Sequence, residues 1–253
     1  MFCFFHDQFI EEEKVSVSMN DRGFTLGDGV FDTQVTTDGV LLDADLHFER
    51  LLNNSMILGI PFDKTILDLN TISTMLLARN SISTGRWVVR TQITRGIGLR
   101  GLMPPRDVHP TLVMRATPAP QIGDTPARAI IATTTRRNEH SPLSRIKSTN
   151  YGDNMLALLE AQDYGAEDAI LLNSEGHVAC ATTANIFIVE NGIWITPPVS
   201  DGALPGITRM KLIAEHRARE EHITVERLEG AAQIWKSNSI IGSRLLMLPM
   251  SAA

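Results

Sequence analysis

Three groups of residues in this chain have types and spacings that could do chemistry. The first is Lys147, in "RIKSTNYGDN", where it stands ahead of a helical pattern rather than along a wet face. An ammonium normally stays in water, so a surface lysine is the ordinary reading. Ile146 on one side and Ser148, Thr149, Asn150 and Tyr151 on the other describe a partly buried site instead. Such a site lowers an amine's pKa and makes it a nucleophile toward a carbonyl. The second group is "LPGITRMKLI", where a glycine at a helix entrance leaves backbone N–H groups of Ile207 and Thr208 converging on one spot. Those amides and the helix dipole suit a phosphate, although an ordinary N-cap involving Thr208 uses the same residues. Ser239, in "KSNSIIG", could lend a hydroxyl to that phosphate or be a turn serine. The third is Arg50, in "LHFERLLNNS". An arginine on an amphipathic helix usually faces solvent, but His47, Arg50 and Ser55 lie close to the apolar stripe, so Arg50 could reach inward as an anion ligand.

These residues need elements to hold them. Residues 1–19 alternate and end in "KVSVSM", which reads as a strand pair. "GDGVFDTQVTTDGVLL" reads as two strands joined at Asp38-Gly39, a hairpin turn. "DADLHFERLLNNSMILGI" has helical spacing with aspartates placed to cap its start, and a second helix covers "DLNTISTMLLARN". "GRWVVRTQITRG" and "HPTLVMRAT" are strands around a Gly/Pro-rich loop. The stretch 116–126, "ATPAPQIGDTP", has three prolines and no periodicity and is the best linker in the chain. Beyond it "ARAIIATTT" is a strand, and a helix from about Asn154 ends at Gly165. "DAILLN" and "VACATTANIFIVENGIWITPP" form a run of strands, "GITRMKLIAEHRAREEH" is a helix, and "IWKSNSIIGSRLL" closes the pattern. The pattern describes an α+β chain in two parts, residues 1–116 and 127–253, with 117–126 as linker and Lys147 in the C-terminal part.

The bulk composition narrows the ligand. The 253 residues are 43% hydrophobic and carry a net charge of −6, which argues against a nucleic-acid partner and for small-molecule substrates. Two cysteines are too few for a disulfide framework and point to a reducing compartment. The N-terminus lacks the basic start and long apolar region of a secretory signal, and no run approaches the roughly 20 apolar residues that span a bilayer. A cytoplasmic protein without membrane contact is expected.

The order "RGFTLGDGVFDT", "LHFERL", "IKSTNYGDNMLA", "GHVACATTANIFIV", "PGITR" and "SNSIIG" resembles the class IV aminotransferase family, the fold-type IV enzymes that use pyridoxal 5'-phosphate (PLP). The resemblance runs from about residue 4 to 248 and takes in D-amino acid and branched-chain aminotransferases and 4-amino-4-deoxychorismate lyase. It implies a two-domain α+β fold like that of D-amino acid aminotransferase, with the cofactor between the domains, and a homodimer whose loops cross between subunits. It implies that Lys147 holds PLP as a Schiff base and later serves as general base. Arg50, the backbone of Ile207 and Thr208, and Ser239 would bind the phosphate. Tyr151 matches a position that flanks the cofactor ring in some members, and Asn185 matches a structural asparagine. The activity implied is transfer of an amino group between a small amino acid or amine and an α-keto acid.

Two departures matter. Family members usually read G-x-V-x-E after the "SEG" turn, and that glutamate pairs with the pyridine nitrogen of PLP; here "GHVAC" puts Cys180 there. A carboxylate keeps that nitrogen protonated and the ring a strong electron sink, whereas a neutral thiol is a weak donor. Three activities therefore stay open: a transaminase with a weakened sink, an aminodeoxychorismate lyase releasing pyruvate and 4-aminobenzoate, and a PLP-binding protein with weak catalysis. In "TRGIGLRGLMPP", Arg100 matches an arginine that grips a substrate carboxylate in D-amino-acid-specific members, but Leu102 stands where their histidine would be. A loop arginine facing water is the alternative for Arg100, and the lyase branch carries a similar "RGxGxRG" pattern. Arg244, where an apolar residue is more common, could point into the active site or cap it.

Overall fold

The structure is a computed structural model that describes residues 1–249. The chain divides into two compact units: Met1–Pro120 with Lys147–Asn150, and Gln121–Ile146 with the chain from Tyr151 onward. The division falls inside the proline-rich 117–126 stretch. Lys147 departs from the sequence reading, because its four-residue segment belongs with the first unit and not with the C-terminal part.

The first unit is built from β1 (Phe2–Phe5), β2 (Gln8–Glu11), α1 (Arg22–Leu26), β3 (Gly29–Thr37), β4 (Val40–Leu41), α2 (Ala44–Ile57), α3 (Ile66–Arg79), β5 (Arg86–Thr94) and β6 (Thr111–Pro118). The six strands form one antiparallel sheet in the order β2-β1-β6-β5-β3-β4. The β3–β4 hairpin turns at Asp38 (φ 49°) and Gly39 (φ 78°), the two successive positive φ values that a tight two-residue turn needs. Phe48 and Leu51 of α2, Leu69 and Leu76 of α3, and Ile93, Leu112 and Met114 of the sheet are fully buried, so the two helices cover one core. The alternation in "KVSVSM" does not mark a strand. β2 already lies at the sheet edge, Glu12–Lys14 makes a 3-10 turn, and Val17 and Met19 are exposed with no sheet to join. Asp43, the N-cap of α2, takes the left-handed conformation and makes no side-chain capping hydrogen bond, unlike the extended N-cap residues that usually cap.

The second unit contains β7 (Ala127–Ile131), α4 (Gly152–Asp163), β8 (Asp168–Leu172), β9 (Val178–Ala181), β10 (Asn185–Glu190), β11 (Ile193–Thr196), α5 (Ile207–His216), β12 (Arg219–Glu220), α6 (Val225–Gly230), β13 (Gln233–Asn238) and β14 (Gly242–Met247). Its eight strands run in the order β12-β11-β10-β13-β14-β7-β8-β9, with parallel pairs at β11/β12, β14/β7 and β7/β8. All residues of β8 and β9 are buried, which explains their continuous apolar run. Ala157 and Ala161 of α4 pack with Ile130, Ala169 and Leu171, so small residues let that helix sit close to the sheet. α4 begins two residues before the expected Asn154 and is followed by Gly165 at φ 66°. α1 and α6, five and six residues long, are too short to show a period in the sequence. Among the described residues no helix is long and apolar enough to cross a membrane.

Candidate active site

Lys147 is held by β3. β5 pairs along the whole of β3 on one edge, and β4 covers only the far end of the other. Lys147–Thr149 takes the vacant stretch: Phe31 N–H donates to Lys147 O at 2.9 Å, Thr149 N–H donates to Gly29 O at 2.9 Å, and Val30 faces Ser148 in an antiparallel bridge. This register puts Lys147 directly across from Phe31, on one face of the pleat. Its Nζ lies 4.5 Å from the centroid of the Phe31 ring, and the Arg90 guanidinium lies 3.6 Å from the same centroid. Burial, with Arg50 and Arg90 close by and Asp32 opposing, lowers the Lys147 amine to about 8. Among the described residues, no carboxylate lies within ion-pair distance of that amine. The anchor is thus a strand edge, and not the helix that follows the lysine in sequence.

The opposite face of β3 is charged as well. Asp32, completely buried, accepts from Arg50 Nε and Nη2, both at 2.8 Å, and lies 2.8 Å from Nδ1 of the buried His47. Burial alone would raise the Asp32 carboxyl, but the His47 hydrogen bond and the Arg50 charge outweigh it and hold the group far below the usual carboxylate range. His47 and Arg50 are three residues apart on α2, so one helix turn delivers both to the same carboxylate. A second buried cluster lies at the start of β3. Asp28 accepts from Arg22 Nε at 2.8 Å and from Arg95 Nε at 2.7 Å, while Arg22 also donates to the carbonyls of Gly101 and Leu102 at 2.9 and 2.8 Å. Arg100 is exposed on the loop whose backbone Arg22 holds.

In the second unit, Gly206 is the N-cap of α5, and no side chain caps the helix. The first amides of the helix, those of Ile207 and Thr208, are the donors that helix geometry leaves over. Ile207 is buried and Thr208 half-buried, and the first turn carries no acidic residue. Thr208 is therefore not the cap. A Cβ on Gly206 would meet Asn185 Oδ1 at 2.2 Å, so only glycine fits there, and Asn185 Nδ2 ties down the Leu204 carbonyl at 2.8 Å. Tyr151 is the N-cap of α4, and Ser239 is half-buried in the β13–β14 turn. Cys180 sits on β9 opposite Leu171, 7% exposed, in an apolar cluster. Burial raises its thiol, Arg137 lowers it in part and Asp168 raises it again, so the neutral form is favoured. Glu175 lies in the turn before β9. Arg244 donates to Thr125 O at 2.8 Å and pairs with Glu167 at 3.0 Å, which occupies it as a surface clamp.

For PLP these groups fit in part. A half-buried amine of lowered pKa suits an aldehyde, and an uncapped helix N-terminus suits a phosphate. The neutral Cys180 supplies no carboxylate for a pyridine nitrogen. Asp32, Asp28, Arg22 and Arg95 were missed in the sequence, and only the polar residues inside the otherwise apolar "GDGVFDTQV" hinted at them.

Residues 29–245 match the family model described as amino-transferase class IV. A Methanocaldococcus jannaschii protein provisionally named a branched-chain-amino-acid aminotransferase is 34% identical over 226 residues, 89% of this chain and 77% of that protein. A D-alanine aminotransferase of Staphylococcus epidermidis is 31% identical over 237 residues, 91% of this chain and 83% of its own. Among solved structures, a Legionella pneumophila protein provisionally named 4-amino-4-deoxychorismate lyase is similar at a TM-score of 0.87 and 31% identity, covering 95% of this chain and 89% of that one. The chain belongs to the class IV aminotransferase family, whose members are PLP-dependent enzymes.

Proposed function

We propose that the protein is a PLP-dependent aminotransferase that moves an amino group between a small amino acid or amine and an α-keto acid. The observation that carries this reading is the Lys147 amine, lowered to about 8 on the edge of β3 with no carboxylate to hold its proton. When bound, the cofactor supplies the electron sink that makes a substrate's α-proton removable. Lys147 would hold the cofactor's aldehyde through Nζ, and the same amine, when free, would take and return the substrate's proton. An amine poised near neutral pH suits both tasks. Arg50, the amides of Ile207 and Thr208, and the Ser239 hydroxyl are assigned to the phosphate. Tyr151 would flank the ring, and Arg100 would take the substrate carboxylate. Cys180 would give the pyridine nitrogen a weak partner, so Cys180→Glu is expected to raise the transamination rate, and an unchanged or lower rate counts against this role.

The test is incubation of the PLP-loaded protein with amino donors. Its absorbance should shift to that of the pyridoxamine form and return on addition of an α-keto acid, and borohydride should trap the label on Lys147. A label on another lysine overturns the reading. The "RGIGLRG" loop and the Legionella relative support a second one, an aminodeoxychorismate lyase, which would release pyruvate and 4-aminobenzoate with no amino acceptor. The neutral Cys180 supports a third, a PLP-binding protein with weak catalysis, which would show the trapped label and neither reaction.

A further inference from the structure

The second unit carries a cluster of metal-ligating side chains that has no role in the reading above. One ligand atom from each of His177, Asp201 and His222 lies within 4.8 Å of the others. The three come from separate segments. His177 ends the turn before β9, Asp201 ends a 3-10 turn at Val199–Asp201, and His222 lies between β12 and α6. The backbone brings the two histidine segments together, because Val178 N–H donates to Ile223 O at 2.8 Å. Their imidazole centroids are 5.0 Å apart, and His222 Nδ1 lies 2.8 Å from Oδ2 of Asp201, whose side chain is 4% exposed.

One atom in this cluster lacks a partner. His177 Nδ1 is buried without a hydrogen bond among the described residues, and the Glu175 carboxylate oxygen is 3.6 Å away, beyond hydrogen-bond reach. A buried nitrogen left in that state costs free energy that a bound cation would recover. Two imidazoles and a buried carboxylate form a donor set suited to Zn²⁺ and its neighbours in the transition series. Two arginines lie nearby: Arg227 is paired with Glu190 at 2.7 Å and Glu221 at 3.0 Å, and Arg137 donates to the carbonyls of Gly202 at 3.2 Å and Ser144 at 2.8 Å.

We propose that His177, Asp201 and His222 form a binding site for a divalent transition-metal ion of the Zn²⁺ class, with water in the remaining position. Ligand bonds of about 2.0–2.2 Å allow ligand atoms to be separated by no more than about 4 Å. The cluster must therefore contract slightly, and His222, with 60% of its side chain exposed, has room to exchange its contact with Asp201 for one through the ion. A bound ion would tie together the turn before β9, the 3-10 turn and the loop before α6.

The site is tested on the PLP-loaded protein, with Zn²⁺ followed by calorimetry and Co²⁺ followed by visible absorption. One ion per chain is expected, with Co²⁺ giving the intense bands of a low-coordinate nitrogen–oxygen site and Zn²⁺ raising Tm. His222→Ala and His177→Ala, each first checked for an intact metal-free Tm, should each weaken binding by about 100-fold or more, since even indirect partners of a metal cost 10–100-fold. Absence of Zn²⁺ binding in the wild type, or binding of equal affinity in both variants, would overturn the proposal. Transaminase activity is not the readout, so the result is independent of the cofactor reading.

Discussion

Lys147 and Lys236 both leave bulk water, one in each unit, and their surroundings are opposite. The Lys236 side chain is 12% exposed, and its Nζ meets Asp168 Oδ2 at 2.8 Å. Asp168 is itself fixed by the Thr182 hydroxyl at 2.6 Å and backbone amide at 3.2 Å, so the charge on Lys236 is answered in full. Lys147 has a phenyl ring below it and two guanidiniums near it, and its amine falls to about 8. Its nearest anion of consequence, Asp32, is already shared by Arg50 and His47. Burial with a partner makes a lysine structural, and burial without one makes it reactive.

Four experiments break or sharpen that contrast, beginning with the largest effect. Lys147→Ala should slow the half-reaction by at least about 10³-fold, the scale of losing a positioned acid–base group, while Lys236→Met should keep the trapped label on Lys147. A Lys147→Ala protein of undiminished rate ends the comparison. Asp32→Ala leaves Arg50 and His47 facing a hole, and loss of one partner of a buried pair costs about 3–5 kcal/mol, read as a lower denaturation midpoint. Because Asp32 raises the Lys147 pKa, the same substitution should also move that pKa below about 8, seen as a shifted pH profile for cofactor capture.

Stability should itself depend on pH through this lysine. The folded pKa of about 8 lies below the ordinary lysine value of 10.5, so between the two the unfolded chain binds more protons. Cofactor-free protein should therefore gain stability as pH rises from about 8 toward 10.5, by up to about 3 kcal/mol. Lys147→Met should flatten that rise, and identical profiles for the two proteins would contradict the lowered pKa. The smallest effect belongs to Lys236→Met. Thr182 still serves Asp168 there, so the loss should be near one charge-assisted hydrogen bond, about 2 kcal/mol by chemical denaturation.

Much of the secondary structure was legible because local chemistry specifies it. Asp38-Gly39 can turn a hairpin whatever surrounds it, and the apolar stripes of α2 and α3 show at helical spacing. "KVSVSM" shows the limit: alternation makes a strand only where another strand offers its hydrogen bonds. The sequence left Arg50 open between a solvated face and an inward anion contact, and its bond to Asp32 was not foreseen, because the two are 18 residues apart and on different elements.

From the chain alone came the family, through six motifs in one order, together with the expectation that Lys147 meets an aldehyde and that Cys180 stands where relatives carry a glutamate. Those depend on residue identity and short spacing, which a linear string preserves. Which unit Lys147 belongs to, which strand edge carries it, and which charges surround its amine came only from the folded chain. A pKa is set by burial and by charges within a few ångströms, and β3, α2 and β5 reach that range of residue 147 only after folding.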